Sequence, residues 1–227
     1  MPGISETEPP FFRNFCKQYG LHLSITVIVF LHFIGLIGIN LSDYRDRFLL
    51  LTPFNLLITA FLLFLFHGRF NRPFWYFAVG IFIAGIAIEI AGVKTGIIFG
   101  HYHYGTVLGP KVLETPWIIG LNWLILIYST SNIANKLPIP LWGKIGIAAL
   151  LMVLLDWLIE PVAICFGFWY WENNTIPIQN YIAWYAVSVA MHFFFYKSRF
   201  PKNNPLSVWV YIVQVVFFAG NQIWQNC

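Results

Sequence analysis

Three acidic residues, Glu89, Asp156 and Glu160, are placed where acids are rare: inside long apolar stretches of the chain. Asp156 and Glu160 are separated by four positions, which puts both on one face of a helix. Pro161 follows directly; it leaves the carbonyl of Trp157 without its helical donor and is expected to kink or end the helix there. Glu89 falls in the last turn or two of another apolar segment. Ionisable groups at membrane depth are costly and normally face a bundle interior or a wet cavity. No Lys or Arg within the apolar segments is available to neutralise these carboxyls. Burial without a cation favours the neutral, proton-carrying form of a carboxyl, the form that a general acid needs. The plainer alternative is a hydrogen-bond network that locks the helices together.

Other polar residues fall at the same end of the apolar segments. The stretch Gly96-Ile97-Ile98-Phe99-Gly100-His101-Tyr102-His103-Tyr104-Gly105 follows Glu89. Asn122 and Trp123 lie early in the next segment, and Asn180, Tyr181 and Trp184 early in a later one. Alternation of the segments across a membrane brings all of them to one leaflet. Metal binding is a rival reading, because His101 and His103 with three carboxylates could hold Fe, Mn or Zn. Membrane hydroxylases need dense histidine clusters, however, and this chain has 6 His in all. The expectation is therefore no metal, with His101 and His103 as interfacial hydrogen-bonding residues. The glycines from 92 to 109 form neither a phosphate loop nor a dinucleotide fingerprint, and there is no Gly-x-Ser-x-Gly elbow. Close helix packing and a tight loop account for them.

The elements that must position these residues are membrane helices. Hydrophobic residues make up 59% of the 227 and charged residues 10%, against about 25% charged in soluble domains. The apolar blocks are long enough to cross the hydrocarbon core. Seven spans are predicted, at 21–40, 50–67, 74–93, 116–134, 143–165, 180–196 and 205–225. This is an all-α polytopic bundle, with residues 1–20 as a cytoplasmic N-terminal segment and 21–227 as one domain. The breaks are a polar loop at Ser42–Arg47, a basic turn at His67–Pro73, the Leu137-Pro138-Ile139-Pro140 stretch and a basic connector from Lys197 to Pro205. Nine of the 13 basic residues fall on the side of the N-terminus: Arg13, Lys17, Arg69, Arg72, Lys136, Lys144, Lys197, Arg199 and Lys202. Arg45, Arg47, Lys94 and Lys111 fall on the other. The positive-inside rule makes the N-terminus cytoplasmic and the C-terminus external. The formal charge of +4 reads as topology, and no nucleic-acid partner is expected. The first 19 residues show no cleavable signal. Cys16, Cys165 and Cys227 are scattered and suggest no disulfide framework.

Several motifs resemble, in order, those of the membrane-embedded carotenoid biosynthesis proteins. They are Glu89-Ile-Ala-Gly-Val-Lys-Thr-Gly96, Phe99-Gly-His-Tyr-His-Tyr-Gly105, Leu108-Gly-Pro110, Ile119-Gly-Leu-Asn-Trp123, Asp156-Trp-Leu-Ile-Glu-Pro-Val-Ala163, Trp169-Tyr-Trp171 and Pro177-x-x-Asn-Tyr181. The similarity runs from about residue 85 to 190. Carotenoid 1,2-hydratases, which act on gamma-carotene-like and bacterioruberin-precursor polyenes, belong to that family. The resemblance implies addition of water to a terminal isoprenoid double bond in the cell membrane of a bacterium or archaeon, without a cofactor. It also makes other carotenoid biosynthesis enzymes candidate partners. The residues themselves suggest Asp156 and Glu160 as the acid/base pair and Glu89 as third member. His101, Tyr102, His103, Tyr104, Asn122, Trp123, Trp157, Asn180, Tyr181 and Trp184 are expected around the substrate, with the aromatic faces stabilising a carbocation. A carotenoid cyclase or isomerase using the same protonation, and a non-catalytic carotenoid-binding membrane protein, are the alternatives.

Overall fold

The computed structural model describes residues 10–225, with side chains from 19 to 224. Eight helices follow in order: α1 (Pro10–Asn40), α2 (Arg45–Leu49), α3 (Thr52–Leu65), α4 (Arg72–Thr95), α5 (Ile118–Asn135), α6 (Leu141–Cys165), α7 (Ile178–Lys197) and α8 (Leu206–Gln225). Four short strands cap one end: β1 (Tyr102–Tyr104), β2 (Lys111–Val112), β3 (Thr115–Pro116) and β4 (Trp169–Trp171). Five segments are long and apolar enough to cross a membrane: Tyr19–Asn40, Arg45–Leu65, Arg72–Thr95, Leu141–Cys165 and Leu206–Trp224. With α5 and α7 they make a polytopic bundle of about seven spans.

α5 and α7 are less apolar for a physical reason. α5 is the central helix, packed against α3, α4, α6, α7 and α8, and almost its whole surface is buried. Its run Ser129-Thr130-Ser131-Asn132 therefore faces protein and not lipid, and Thr130, Ser131 and the Asn132 amide nitrogen find partners there. Ser131 is hydrogen-bonded to the buried His192 of α7 at 2.7 Å. At the α3–α4 turn, His67 is hydrogen-bonded to Tyr128 of α5 at 2.8 Å, which ties that turn to the core. Large apolar side chains on the periphery, such as Tyr76, Phe61 and Ile223, are exposed, as a lipid-facing surface requires.

Three local expectations change. The polar loop expected at 42–47 is partly helical, because Arg45–Leu49 forms α2. Pro161 does not end α6, which continues to Cys165; the neighbouring carbonyl of Leu158 accepts from Gln222 of α8 at 2.8 Å. Cys165 is disulfide-bonded, where the scattered cysteines suggested no disulfide framework. Most of the predicted N-terminal segment, with the side chains of Arg13 and Lys17, lies outside the described side chains.

Candidate active site

α4 presents Glu89 on a face cleared by glycine. Gly85 and Gly92 lie four residues before and three after it, on the same side of the helix. A Cβ at Gly85 would come 2.8 Å from Trp123, and one at Gly92 would come 2.5 Å from the Phe99 ring and 3.1 Å from the Tyr102 hydroxyl. These close approaches let three neutral donors reach the carboxyl. Tyr102 and Tyr104 donate to Oε2 at 2.6 and 2.8 Å, and Trp123 Nε1 donates to Oε1 at 3.0 Å. Burial, and then the neighbouring Glu89 carboxylate, push the Tyr102 and Tyr104 phenols well above the usual tyrosine range. Both hydroxyls thus stay donors.

The antiparallel ladder of β1 and β4 carries donors to two carboxyls at once. Its register pairs Tyr102 with Trp171, His103 with Tyr170 and Tyr104 with Trp169. Successive side chains of a strand point to opposite faces, so Tyr102, Tyr104, Trp169 and Trp171 face the carboxyls. Nε1 of Trp169 and Trp171 donate to Glu160 Oε2 at 2.9 and 2.7 Å. His103 and Tyr170 stack on the outer face with ring centres 5.3 Å apart.

Asn180 of α7 joins the two acids of α6. Its Nδ2 lies 3.0 Å from Asp156 Oδ2 and 3.1 Å from Glu160 Oε1. Glu89 and Glu160 therefore each receive three donors, whereas Asp156 receives one, and its Oδ1 has no partner among the described residues. All three acids are buried, and every donor to them is neutral. They line a cavity of about 30 Å³ together with Phe99, Tyr102, Tyr104, Ile119, Asn122, Ile159, Trp169, Trp171, Asn180 and Trp184, enough to hold water. Trp184 stacks on Trp123 at 4.2 Å. A second, mainly apolar cavity of about 270 Å³ shares Ile119, Asn122, Ile159 and Trp169 with the first.

Most of the residues singled out in the sequence thus meet. Glu89, Asp156, Glu160, Tyr102, Tyr104, Asn122, Asn180 and Trp184 line one cavity, and Trp123 braces it. The other four neither line it nor brace it. His101 and His103 are exposed, on the opposite side of the cap from Tyr102 and Tyr104. Trp157 is 59% exposed on the outside of α6. Tyr181 is half-buried beside the cavity and is not part of its wall. Among the described residues, no three His, Cys, Asp or Glu side chains form a metal-ligand group. Trp169, Trp171 and Phe99 join the wall in addition to the residues expected from the sequence. The alternation of Trp169-Tyr170-Trp171 mirrors that of Tyr102-His103-Tyr104, and that period of two was the available signal.

Chemically, the site is an aromatic box with three carboxyls, a water-sized space and one carboxyl oxygen unpartnered among the described residues. It can give and take protons beside an apolar ligand. The chain is similar to the bisanhydrobacterioruberin hydratase of Haloarcula japonica, at 28% identity over 118 residues, which cover 47% of this chain and 39% of that relative. No solved structure matches it. A family described as carotenoid biosynthesis protein matches residues 50–226, which include every carboxyl and aromatic residue of the site. By a match over most of its length, the chain belongs to the carotenoid biosynthesis protein family.

Proposed function

We propose that the protein is a carotenoid 1,2-hydratase, a hydro-lyase that adds water to the terminal isoprenoid double bond of an acyclic carotenoid end group. The observation that carries this reading is the convergence of Glu89, Asp156 and Glu160, with neutral donors only, on a water-sized cavity that adjoins an apolar one. Three like charges crowded in a low-dielectric site repel one another, so a proton is best kept on one of the three. Asp156 suits that role because its Oδ1 is free to deliver a proton without breaking another hydrogen bond.

In this mechanism Asp156 protonates the less substituted alkene carbon, and the π electrons form the new C–H bond. The resulting tertiary cation is flanked by Trp169, Trp171 and Trp184, whose faces attract positive charge. Water in the cavity attacks the cation, and Glu160 takes the proton released. Asn180, bonded to both acids, holds them in register while the proton returns to Asp156. The sum is one alkene and one water giving one tertiary alcohol. Glu89, fixed by Tyr102, Tyr104 and Trp123, supplies negative charge opposite the cation. The similarity to a hydratase from Haloarcula japonica supports this reading. The lipid bilayer is the medium of the substrate, in the cell membrane of a bacterium or archaeon, with the N-terminus cytoplasmic.

The test is incubation of purified protein with lycopene and gamma-carotene, followed by mass analysis of the pigments. The expected product is heavier by one water per modified end. An isomeric, cyclised product would overturn the reading in favour of a cyclase. Unchanged pigment bound to folded protein would favour a carotenoid-binding protein without activity.

A further inference from the structure

The larger cavity plays no part in the proton chemistry, and its walls say what it holds. We propose that it binds the hydrocarbon chain of a polyene, and that the polyene is admitted sideways from the lipid through the seam between α1 and α3. The choice of polyene rests on the hydratase reading above.

Four observations carry the proposal. First, α1 rests on α8 and α2 and makes only a few contacts with α3, which leaves a gap filled by the cavity. Second, the cavity reaches the outer surface of the bundle there. Leu51, Phe54 and Ile58 line it, yet they are 52%, 60% and 39% exposed, on a face that meets lipid. Third, the end toward the membrane surface is closed. Phe48 of α2 lines the cavity and packs directly on Gly38 of α1, where any side chain would overlap the Phe48 ring. A ligand from water would have to displace that ring, while a lipid-dissolved one need only part the seam. Fourth, Asn122 lines both this cavity and the acid cavity and has no hydrogen-bond partner among the described residues. A terminal double bond can thus reach the carboxyls while the rest of the chain stays in the apolar cavity. An acyl chain of a phospholipid shares this hydrocarbon chemistry. Its headgroup anchors it at the surface, however, and that is the end Phe48 closes.

The test fills the cavity from two sides. Gly35 of α1 lines it, and a Cβ there would meet only Phe217, at an ordinary 3.5 Å, so Gly35→Leu grows into the space without forcing the backbone. Ile58→Trp narrows the seam from α3. Phe33→Leu, on the lipid face of α1 at 60% exposure, is the control. Each protein is purified from a host that makes acyclic carotenoids. Retained polyene is read by visible absorption, and hydration is measured on the full-length carotenoid and on a short alkene with the same end group. Both cavity variants should lose about tenfold in retained polyene and in kcat/KM for the long substrate, with the short alkene unaffected. The control should match the parent protein. Unchanged retention and long-substrate turnover in the two folded variants overturns the proposal, as does an equal loss on both substrates. A parent protein that retains phospholipid but no polyene also overturns it. If the parent hydrates neither substrate, the hydratase reading fails, and retained polyene alone then decides the binding site.

Discussion

Asp156 differs from Glu89 and Glu160 in how many of its oxygens are occupied, and that difference sets what an amide does at each position. Asp156 accepts one hydrogen bond, from Asn180, so Asp156→Asn keeps the packing and can keep that bond. It cannot protonate carbon. Activity should fall by about 100- to 10,000-fold, the usual contribution of a general acid, with a smaller loss of stability than amides at the two glutamates cause. Glu160 and Glu89 accept on both oxygens, from three donors each. An amide in either place sets its own N–H groups against indole, phenol or amide donors. Glu160→Gln and Glu89→Gln should therefore lose activity and also about 1–3 kcal/mol of stability, the cost of a buried donor left without a partner. Thermal unfolding in lipid nanodiscs, run beside the hydration assay, separates the two behaviours. Full activity in Asp156→Asn would move the acid to another carboxyl. Some of this was legible in the sequence: the four-residue spacing put Asp156 and Glu160 on one face. Trp157, next to Asp156 in the chain, was misplaced, because one residue along a helix turns about 100° and points that ring outward.

α4 and the β1–β4 ladder do most of the positioning. On α4 the glycines at 85 and 92 flank Glu89 and admit Trp123 and Tyr102. Alanine at either site would put a Cβ within 3 Å of an aromatic ring. Gly85→Ala and Gly92→Ala should each cost about 1–3 kcal/mol through overpacking and should lower activity by displacing donors to Glu89. Gly80, whose Cβ would meet only the Phe194 ring at 3.1 Å, stands away from the carboxyls. Gly80→Ala should leave activity intact even if stability shifts. Unfolding midpoints and hydration rates of the three variants check this; equal activity in all three would remove the positioning role from α4. The helices were legible because each is a long apolar run bounded by polar, basic or proline-containing breaks. The cap was not, because β1 and β4 lie more than 60 residues apart in the chain and each is too short to announce its partner. The tryptophans on β4 reach Glu160 only through that pairing, and His103 is turned outward by the same register.

For the whole molecule, we propose that the excess of basic residues on the N-terminal side of a bundle of about seven spans makes the N-terminus cytoplasmic and the C-terminus external. A reporter fused at the N-terminus should be cytoplasmic and one at the C-terminus external; both on one side would contradict the topology. Orientation fixes which leaflet holds the acid cavity, while the convergence of the carboxyls is independent of it. The apolar cavity was beyond sequence reasoning, since it is the space left where α1 leans on α8 and not α3, a matter of packing geometry and not of residue type. Hydration draws both the oxygen and the new carbon-bound hydrogen of the product from water. The most direct measurement is turnover by purified protein in heavy water enriched in heavy oxygen, under ordinary dioxygen, with mass analysis of the alcohol. The expected product carries the heavy oxygen and one non-exchangeable deuterium on the carbon beside the hydroxylated one. Oxygen drawn from dioxygen, or an alcohol without that deuterium, would contradict hydration by carboxyl proton transfer.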